Sequence, residues 1–337
     1  MVVTLGLLAG CSSATPTASA DQTEASNAPK VGKDIEKDPL KIAFIPLSTS
    51  GVASALELKA IEDQLLYYKN AKLQVFDPQF DPSKQVTMIQ ECITQKYDGI
   101  LIEPMDPETV GKAIVEAEMA GIPVCTINPQ VSQPHAFGIK GSDYMSGEIA
   151  AEYLCKAFND KANVVILDAP AAQMASVMYS KGFNDYLAAN NKTEMVVIDY
   201  QNIDNWSLDI ANQAMRDLLT KHSDIDAVFC ASDDLALGAV QAVNSAGRAD
   251  EIKVWGAGGF PNALKAIQDG IMYGTSFQDY YTELSAATYL LLNHIQTGKT
   301  AITEGYSETP IVQCPAFPCT KENMDIIIAQ SRQAEIK

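Results

Sequence analysis

The stretch GILIEPMDPETVGKAIVEAEMAGIPVCTI, residues 99–127, decides the fold class. It opens on a short apolar run rich in β-formers, residues 99–102, and closes on a second such run, residues 124–127. Residues 107–120 between them have the apolar spacing of a helix, and Asp106-Pro107 places a capping carboxylate before a proline suited to the first helical position. The order strand, helix, strand predicts a parallel βαβ unit.

The same alternation continues on both sides of this stretch. Strands are predicted at residues 41–45, 73–76, 99–102, 124–127, 136–139, 164–167, 195–198, 227–230, 252–255 and 273–277. Helices are predicted at residues 54–69, 82–95, 107–120, 174–189, 206–221, 233–246 and 261–269. The pattern predicts two doubly wound, mostly parallel α/β sheets in tandem, and ligands of such sheets bind beyond the carboxyl ends of the strands.

The composition limits the classes of partner. The chain has 337 residues, enough for two core-bearing units, with 47% hydrophobic and 20% charged residues, as in globular proteins. Its 42 acidic and 24 basic side chains leave a net charge of −18. Such an acidic surface repels phosphate backbones and anionic lipid headgroups, so nucleic-acid binding and polybasic docking on membranes are not expected.

The first residues resemble an export signal. Residues 1–10 are almost wholly apolar and lead into LAGC at residues 8–11, which resembles the lipobox of bacterial lipoproteins. This resemblance implies a signal-peptide remnant at 1–10, a lipid on Cys11 and an extracytoplasmic protein anchored to the membrane. Residues 12–38 are rich in Ser, Thr, Ala and Pro, which predicts that 11–38 form a flexible tether. The alternative is an unstructured N-terminus with an incidental cysteine.

The other six cysteines indicate no metal site. Cys314 and Cys319 flank the sequence PAFP and could close a small loop, so the sequence leaves two alternatives, a disulfide or two free thiols. The remaining four lie in apolar or amphipathic contexts and are predicted to be small buried side chains: Cys92, Cys125, Cys155 and Cys230. No Cys or His spacing suits zinc.

The sequence contains only incomplete versions of known phosphate-binding and dinucleotide-binding motifs. Gly298-Lys299-Thr300 would end a phosphate-binding loop, but the glycine required at position 293 is Asn. The glycine-rich run at 256–259 lacks the third glycine of a dinucleotide site, because position 261 is Pro. No cofactor and no enzymatic activity are therefore predicted. A cleft enzyme using Asp168, Asp233 or Asp234 is the alternative.

The motifs resemble a known family. They are EPMD at 103–106 leading to GIPV at 121–124, SD at 142–143 with Gly147, LLTKHSDIDAVF at 218–229, and DDLALGA at 233–239. On these, residues 40–312 are similar to type I periplasmic solute-binding proteins, closest to the ribose-binding branch that serves ABC transporters. Lac-repressor-like transcription factors share this core, but they carry an N-terminal helix-turn-helix where this chain has the lipobox-like segment.

The resemblance implies two Rossmann-like lobes joined by a three-segment hinge, with a solute trapped between them by hinge closure. Crossovers are expected at Ser142-Asp143, Gln278-Asp279 and Thr309-Pro310. They divide the chain into one lobe of residues 39–142 plus 279–308 and a second of 143–278 plus 309–337. The implied protein is a monomer that delivers its solute to an ABC permease. The alternative is a receptor that presents a bound signal, such as an autoinducer-like polyol, to a membrane sensor.

The family's pocket carries over only in part. The resemblance implies an aromatic platform at Trp206, an amide at Gln278, a hydroxyl at Ser232 before Asp233, and Asn128 in place of an aspartate. Further candidates from neighbouring loops are Ser48, Thr49, Gln173, Phe260 and Tyr280. Pro129 and Val177 replace two arginines, and Gly258 replaces a second aspartate. The pocket thus loses two positive and two negative charges, and its net charge is expected to stay balanced. A neutral sugar, sugar derivative or polyol is therefore expected rather than ribose.

Several of these residues have a second interpretation. Asp233 could cap the helix that follows it, and Ser48 and Thr49 could cap the first helix. Trp206 could be a surface residue that packs against the start of a helix. Gln278 and Asn128 could serve hydrogen bonds of a turn or hinge rather than a ligand.

Overall fold

The computed structural model describes residues 32–128, 130–171, 173–299 and 309–335. Cys11, the signal-peptide remnant, residues 11–31 of the expected tether and Pro129 lie outside the described residues. Residues 32–38, also expected to be tether, instead pack on the first lobe, where Ile35 is buried in the core. No helix in these four ranges is both long enough and apolar enough to cross a membrane.

The chain builds one lobe, crosses to a second and returns. The first lobe contains β1 (Leu40–Ile45), α1 (Val52–Leu65), β2 (Ala71–Val75), α2 (Pro82–Thr94), β3 (Gly99–Ile102), α3 (Pro107–Met119), β4 (Val124–Ile127) and β5 (Phe137–Lys140). The second lobe contains α4 (Asp143–Phe158), β6 (Lys161–Asp168), α5 (Met174–Ala189), β7 (Glu194–Asn202), a 3₁₀ turn (Asp204–Trp206), α6 (Leu208–Lys221), β8 (Ala227–Cys230), α7 (Asp233–Ser245), β9 (Lys253–Gly258), α8 (Pro261–Gln268) and β10 (Gly274–Gln278). Next come α9 (Tyr280–Thr297) and β11 (Ile311–Gln313), then β12 (Ala316–Thr320), α10 (Met324–Gln330) and a last 3₁₀ turn (Arg332–Glu335).

The two sheets repeat one topology. Their strand orders are β11-β5-β4-β3-β1-β2 and β12-β10-β9-β8-β6-β7. All pairings are parallel except that of β12 with β10. The α/β fold class with two doubly wound lobes is confirmed, and all ten predicted strands are present within a few residues of their expected bounds. The helical assignments omitted α4 and α9, which begin directly after two crossovers, and the short α10 near the C-terminus.

Helices cover both faces of each sheet, which explains the continuous apolar strands. In the first lobe α1 and α9 pack on one face, and α2 and α3 on the other. In the second, α4 and α5 cover one face, and α6, α7 and α8 the other. Strands β3, β4 and β8 are buried along their whole length, as expected of parallel strands between two helical layers. The four cysteines predicted to be buried are buried.

Two helices begin with the same local device. Asp106 Oδ1 accepts hydrogen bonds from the backbone N–H of Glu108 at 3.0 Å and of Thr109 at 3.3 Å, with a proline at the first helical position. Asp81 caps α2 in the same way. Each cap satisfies N–H groups that have no partner within the helix. The Asp106-Pro107 start predicted for α3 is confirmed.

The third crossover lies later in the chain than expected. Strand β11 pairs parallel with β5, and the Gly138 N–H donates to Pro310 O at 2.9 Å. Residues 309–313 therefore extend the first sheet, whereas the sequence assigned 309–337 wholly to the second lobe. The chain changes sheet between Cys314 and Ala316, because β12 pairs with β10 in the second sheet.

This shifted crossover also separates two thiols. Cys314 packs against the first lobe's core, and Cys319 on β12 is buried in the second lobe's core. Both are free cysteines, so the disulfide considered from their spacing is corrected to two thiols. The physical reason is that the intervening residues carry the chain from one sheet to the other.

The last 3₁₀ turn packs against the second crossover and contacts both lobes. Gln333 is fully buried, and its Nε2 donates to the carbonyl oxygens of Gly258, Gly259 and Gln278, each at 3.0 Å. Beside it, the Arg332 guanidinium lies 5.6 Å from the centroid of the Tyr281 ring on α9. The C-terminal segment thus contacts both lobes and fixes the ends of β9 and β10.

Helices α4 and α5 of the second lobe approach each other closely. Helices α4 and α5 cross at Gly147 and Gly182. A Cβ atom at Gly182 would lie 2.0 Å from Tyr144 O, and one at Gly147 would lie 2.2 Å from Tyr179 O. Only hydrogen at both positions lets the two backbones approach this closely.

Candidate functional site

A cleft of about 510 Å³ lies between the two lobes. Its described lining residues follow the carboxyl ends of strands in both sheets, with Leu47 after β1, Glu103 after β3, Asn128 after β4 and Ser232 after β8. This is the place where doubly wound sheets bind ligands, and the volume suits a small molecule.

The first wall begins with the loop after β1. Ser48 lines the cleft, and its Oγ lies 2.9 Å from Ser50 Oγ, while its carbonyl accepts a hydrogen bond from the Ser54 hydroxyl. Gly51, not Ser48 or Thr49, is the N-cap of α1. Thr49 is exposed and outside the lining, with its N–H donating to Asp77 Oδ1 at 3.1 Å. Its expected ligand contact is therefore not supplied by this arrangement.

Deeper in the first wall lie an amide and a carboxylate. Asn128 has φ +57°, and its Oδ1 accepts a hydrogen bond from the Gly141 N–H at 2.9 Å, which links the end of β4 to the first crossover. Glu103 Oε2 accepts from the Leu47 N–H at 3.1 Å. Asn128 serves a turn as its second interpretation proposed, yet it also lines the cleft.

On the second wall, Trp206 is held in an unusual backbone. Asn205 and Trp206 have φ values of +57° and +54°, a left-handed conformation that costs energy for a large side chain. The Trp206 indole N–H donates to Gln173 Oε1 at 3.2 Å, and Ser207, not Trp206, caps α6. Trp206 lines the cleft, and Gln173 lies buried behind it rather than on the wall. This unfavourable backbone conformation places the aromatic ring of Trp206 at the cleft.

Neighbouring residues after β8 have different tasks. Ser232 caps α7 through the Leu235 N–H at 3.3 Å and lines the cleft. Asp233 is fully buried, and its two oxygens accept from Thr275 Oγ1 and from the Phe260 N–H, each at 2.7 Å. Asp233 is thus not among the described residues that line the cleft, and its carboxylate holds the loop before α8 in place.

The second crossover contributes an amide and an aromatic ring. Gln278 is buried, and its Nε2 donates to Ser146 Oγ at 2.9 Å and to Tyr179 Oη at 3.2 Å. Tyr280 starts α9, and its ring centroid lies 5.8 Å from that of Phe260 in the opposite lobe. All three residues expected here, Gln278, Tyr280 and Phe260, line the cleft.

The carboxylates of the enzyme alternative do not converge. Asp168 is buried, accepts from the Ser180 hydroxyl and the Ala169 N–H, and is not among the described residues that line the cleft. Asp233 is engaged as above. Asp234 alone of the three lines the cleft.

Sequence reasoning missed two acidic residues of the wall. Glu103 and Asp143 line the cleft with Asp234, whereas the described lining residues include no Lys, Arg or His. The charge balance expected from the paired losses is therefore not observed. Their positions in the sequence could have identified both residues, since Glu103 directly follows β3 and Asp143 lies at the first crossover after β5.

Burial shifts these carboxyl groups upward. It raises the pKa of Asp143 to about 6 against hydrogen bonding from Tyr179. Behind Glu103, burial together with the negative charges of Glu103 and Asp143 raises the pKa of Glu283 to about 8. Burial and the charges of Glu103 and Glu283 raise the pKa of Glu57 well above its ordinary value, and burial raises that of Glu103. The carboxyl group of Glu283 is therefore mostly protonated at neutral pH in the ligand-free protein.

We predict that the free energy of unfolding of the ligand-free protein falls as pH rises from 6.5 to 8.5. A carboxyl whose pKa is raised by folding retains a proton that the unfolded chain has lost, so its stabilisation disappears as pH rises through the folded pKa. For Glu283 that window runs from 4.5 to about 8, with a slope of at most about 1.4 kcal/mol per pH unit. Burial lowers the pKa values of His135 and His294, so these two groups oppose the slope near pH 6.5, where the unfolded chain still protonates them, and stop opposing it above about pH 7.5.

Urea unfolding at several pH values measures this slope. The Glu283→Gln variant should show a flatter profile, whereas Glu62→Gln, at an exposed position on α1, should keep that of the parent. A parent stability that is constant or rises over this range contradicts the prediction.

Two α/β lobes, three connecting segments and a polar cleft with aromatic rings are the features of proteins that close around a small solute. The chain belongs to the periplasmic binding protein family: the model of the periplasmic binding protein domain matches residues 42–300. Within it, the chain is a type I protein of the sugar-binding branch.

Its relatives include the ribose import binding protein of Escherichia coli (strain K12), 32% identical over 209 residues, 61% of this chain and 68% of that protein. The xylitol-binding protein of Mycolicibacterium smegmatis is 28% identical over 250 residues, 74% of this chain and 68% of that protein. Among solved structures, a solute-binding protein of Bacillus halodurans with bound myo-inositol superposes with a TM-score of 0.77 at 20% identity, covering 86% of this chain and 98% of the other. That structural likeness establishes the fold.

Proposed function

We propose that this protein captures a small sugar, sugar derivative or polyol outside the cytoplasm and delivers it to an ABC importer. The observation that carries the proposal is the cleft itself. Trp206 stands on one wall in a strained backbone, and Asn128, Glu103 and Gln278 lie on the opposite wall and at the hinge. An aromatic face with hydroxyl-binding amides and carboxylates is the chemistry that polyhydroxylated rings require.

Both walls are needed on energetic grounds. Micromolar capture requires about 8 kcal/mol, and a net hydrogen bond contributes about 1 kcal/mol. Residues of one wall fall short of that sum, so closure that brings the second wall onto the solute supplies the rest and excludes water. The names of the relatives, which refer to ribose and xylitol, support the polyhydroxylated class.

A thermal-shift screen over monosaccharides, polyols, nucleosides and amino acids tests this proposal. A ligand that binds only the folded protein stabilises it by mass action, about 4 kcal/mol at 1,000 times its Kd. We expect the largest rise in Tm from a polyhydroxylated compound. A response to amino acids alone, or to no sugar or polyol, contradicts the proposal.

We also propose that the protein performs no chemistry on its solute. Two of the three acids of the enzyme alternative are turned away from the cleft and already hydrogen-bonded. Incubation with the best-binding compound should return it unchanged by mass spectrometry, and conversion to a product would overturn this statement.

The lipobox-like LAGC supports a further part of the proposal, that the mature monomer is anchored through a lipid on Cys11. Expressed in a bacterium, the full chain should partition into the detergent phase of Triton X-114, and Cys11→Ser should move it to the aqueous phase. An unchanged distribution would contradict lipidation at Cys11.

A further inference from the structure

The described lining of the cleft carries acidic side chains and no basic ones. Glu103, Asp143 and Asp234 border it, and no Lys, Arg or His is found among those lining residues. Among the described residues, Lys140 at the end of β5 is the cation that acts on Asp143. In the same part of the chain, Glu103 and Asp234, on opposite walls, have no such neighbour, and Asp234 is instead hydrogen-bonded to Asn262.

Glu103 is the outermost member of a buried acidic cluster, which we define as Glu57, Glu103 and Glu283. Glu57 on α1 is fully buried, and its carboxyl group shares a hydrogen bond with that of Glu103. Glu283 on α9 is 1% exposed, and its Oε1 has no hydrogen-bond partner among the described residues. Asn128 and the Leu47 N–H hydrogen-bond to Glu103, so the groups that face this cluster supply dipoles but no positive charge.

A neutral solute would leave this cluster as it is. Closure over such a solute would remove water from Glu103 while adding no countercharge, so this carboxyl group would have to bury its charge or take up a proton, and either change costs free energy. A solute with an ammonium group would instead place a positive charge against Glu103 and give its carboxylate a charge-assisted hydrogen bond. The rest of the cleft, Trp206 and the amides, would still bind its ring and hydroxyl groups.

We propose that the solute is an amino sugar or amino polyol whose ammonium group binds at Glu103, in front of the buried Glu57 and Glu283. This inference rests on the proposed capture of a polyhydroxylated solute and names its charge. The ammonium pairs with the acidic cluster on the first wall, while the hydroxylated face of the same molecule lies toward Trp206 on the second.

Matched pairs of compounds test the charge. Isothermal titration would compare D-glucose with its 2-amino, 3-amino and 6-amino deoxy derivatives, D-sorbitol with 1-amino-1-deoxy-D-sorbitol, and myo-inositol with an aminodeoxy-inositol. We expect at least one amine to bind ten or more times more tightly than its neutral counterpart. The N-acetylated form of that amine, which keeps the nitrogen and removes the charge, should lose this advantage.

The Glu103→Gln variant tests the position, because glutamine keeps the size and an acceptor for the Leu47 N–H while removing the charge. The ratio of amine to neutral affinity should fall to about one in this variant and stay at its parent value in the exposed Glu62→Gln. A thermal melt of Glu103→Gln checks that it folds. Loss of the preference in Asp234→Asn, with its retention in Glu103→Gln, would overturn the placement at Glu103.

The two proposals fail differently. If neutral members bind as tightly as their amines or more tightly, the charge inference is wrong and capture of a polyhydroxylated solute stands. If no sugar or polyol of either kind binds, both are wrong.

Discussion

Replacing Trp206 with alanine should weaken binding of the preferred solute about 100-fold. That loss equals about 2.7 kcal/mol, which is within the range for removing a central aromatic anchor. The backbone at Trp206 is left-handed, and the indole N–H is fixed by Gln173, so the ring is already positioned before the solute arrives. Calorimetric titration of parent and variant measures the difference.

Two further variants separate stacking from folding. Trp206→Phe retains a smaller aromatic face and should recover part of the affinity. Tyr289→Ala removes an aromatic ring that is 52% exposed on α9 and should bind as the parent does. The melting temperature of Trp206→Ala should fall by only a few degrees, and unchanged affinity would move the stacking platform to another residue.

Replacing Gly182 with alanine should lower the free energy of unfolding by about 3 kcal/mol. This is the upper end of the usual cost of overpacking, because the surrounding backbone has no room to relax. The new Cβ would stand 2.0 Å from the Tyr144 carbonyl oxygen, which belongs to helix backbone and cannot rotate away. Helices α4 and α5 would have to separate. Calorimetry should show a Tm lower by roughly 5–10 °C.

Gly51→Ala is the matched control for that change. Gly51 is the N-cap of α1 with an ordinary extended backbone, and a Cβ there meets nothing nearer than 3.9 Å. It should cost a few tenths of a kcal/mol. A Tm for Gly182→Ala as close to the parent as that of Gly51→Ala would show that the crossing of α4 and α5 tolerates a methyl group.

Much of the fold was readable because its strands are buried on both faces. Continuous apolar runs such as 99–102 and 227–230 identify central parallel strands, and Asp106-Pro107 identifies a helix start from local chemistry alone. Strand β11 was not readable. It has three residues, its first and last residues are exposed, and it exists because the edge of β5 accepts it.

Much of the site could be predicted because polar and aromatic residues directly follow the ends of strands. Trp206 after β7 and Gln278 at the end of β10 both reach the cleft, as does Ser232 after β8. Asp233 could not be assigned from sequence, because a carboxylate beside a helix start serves a ligand or a loop equally well, and the choice depends on the distant Thr275 and Phe260. The members of the acidic cluster lie on α1, directly after β3 and on α9, so no local sequence pattern predicts that they come together.

Hydrogen exchange with and without the best-binding solute tests capture between the lobes most directly. Exchange slows where backbone amides lose access to water or openings become rarer. Peptides covering residues 48–54 of the first lobe and residues 203–210 of the second should both become protected, together with those around Gln278 at the hinge. Protection confined to one lobe, or to surfaces away from the cleft, would contradict capture between the two walls.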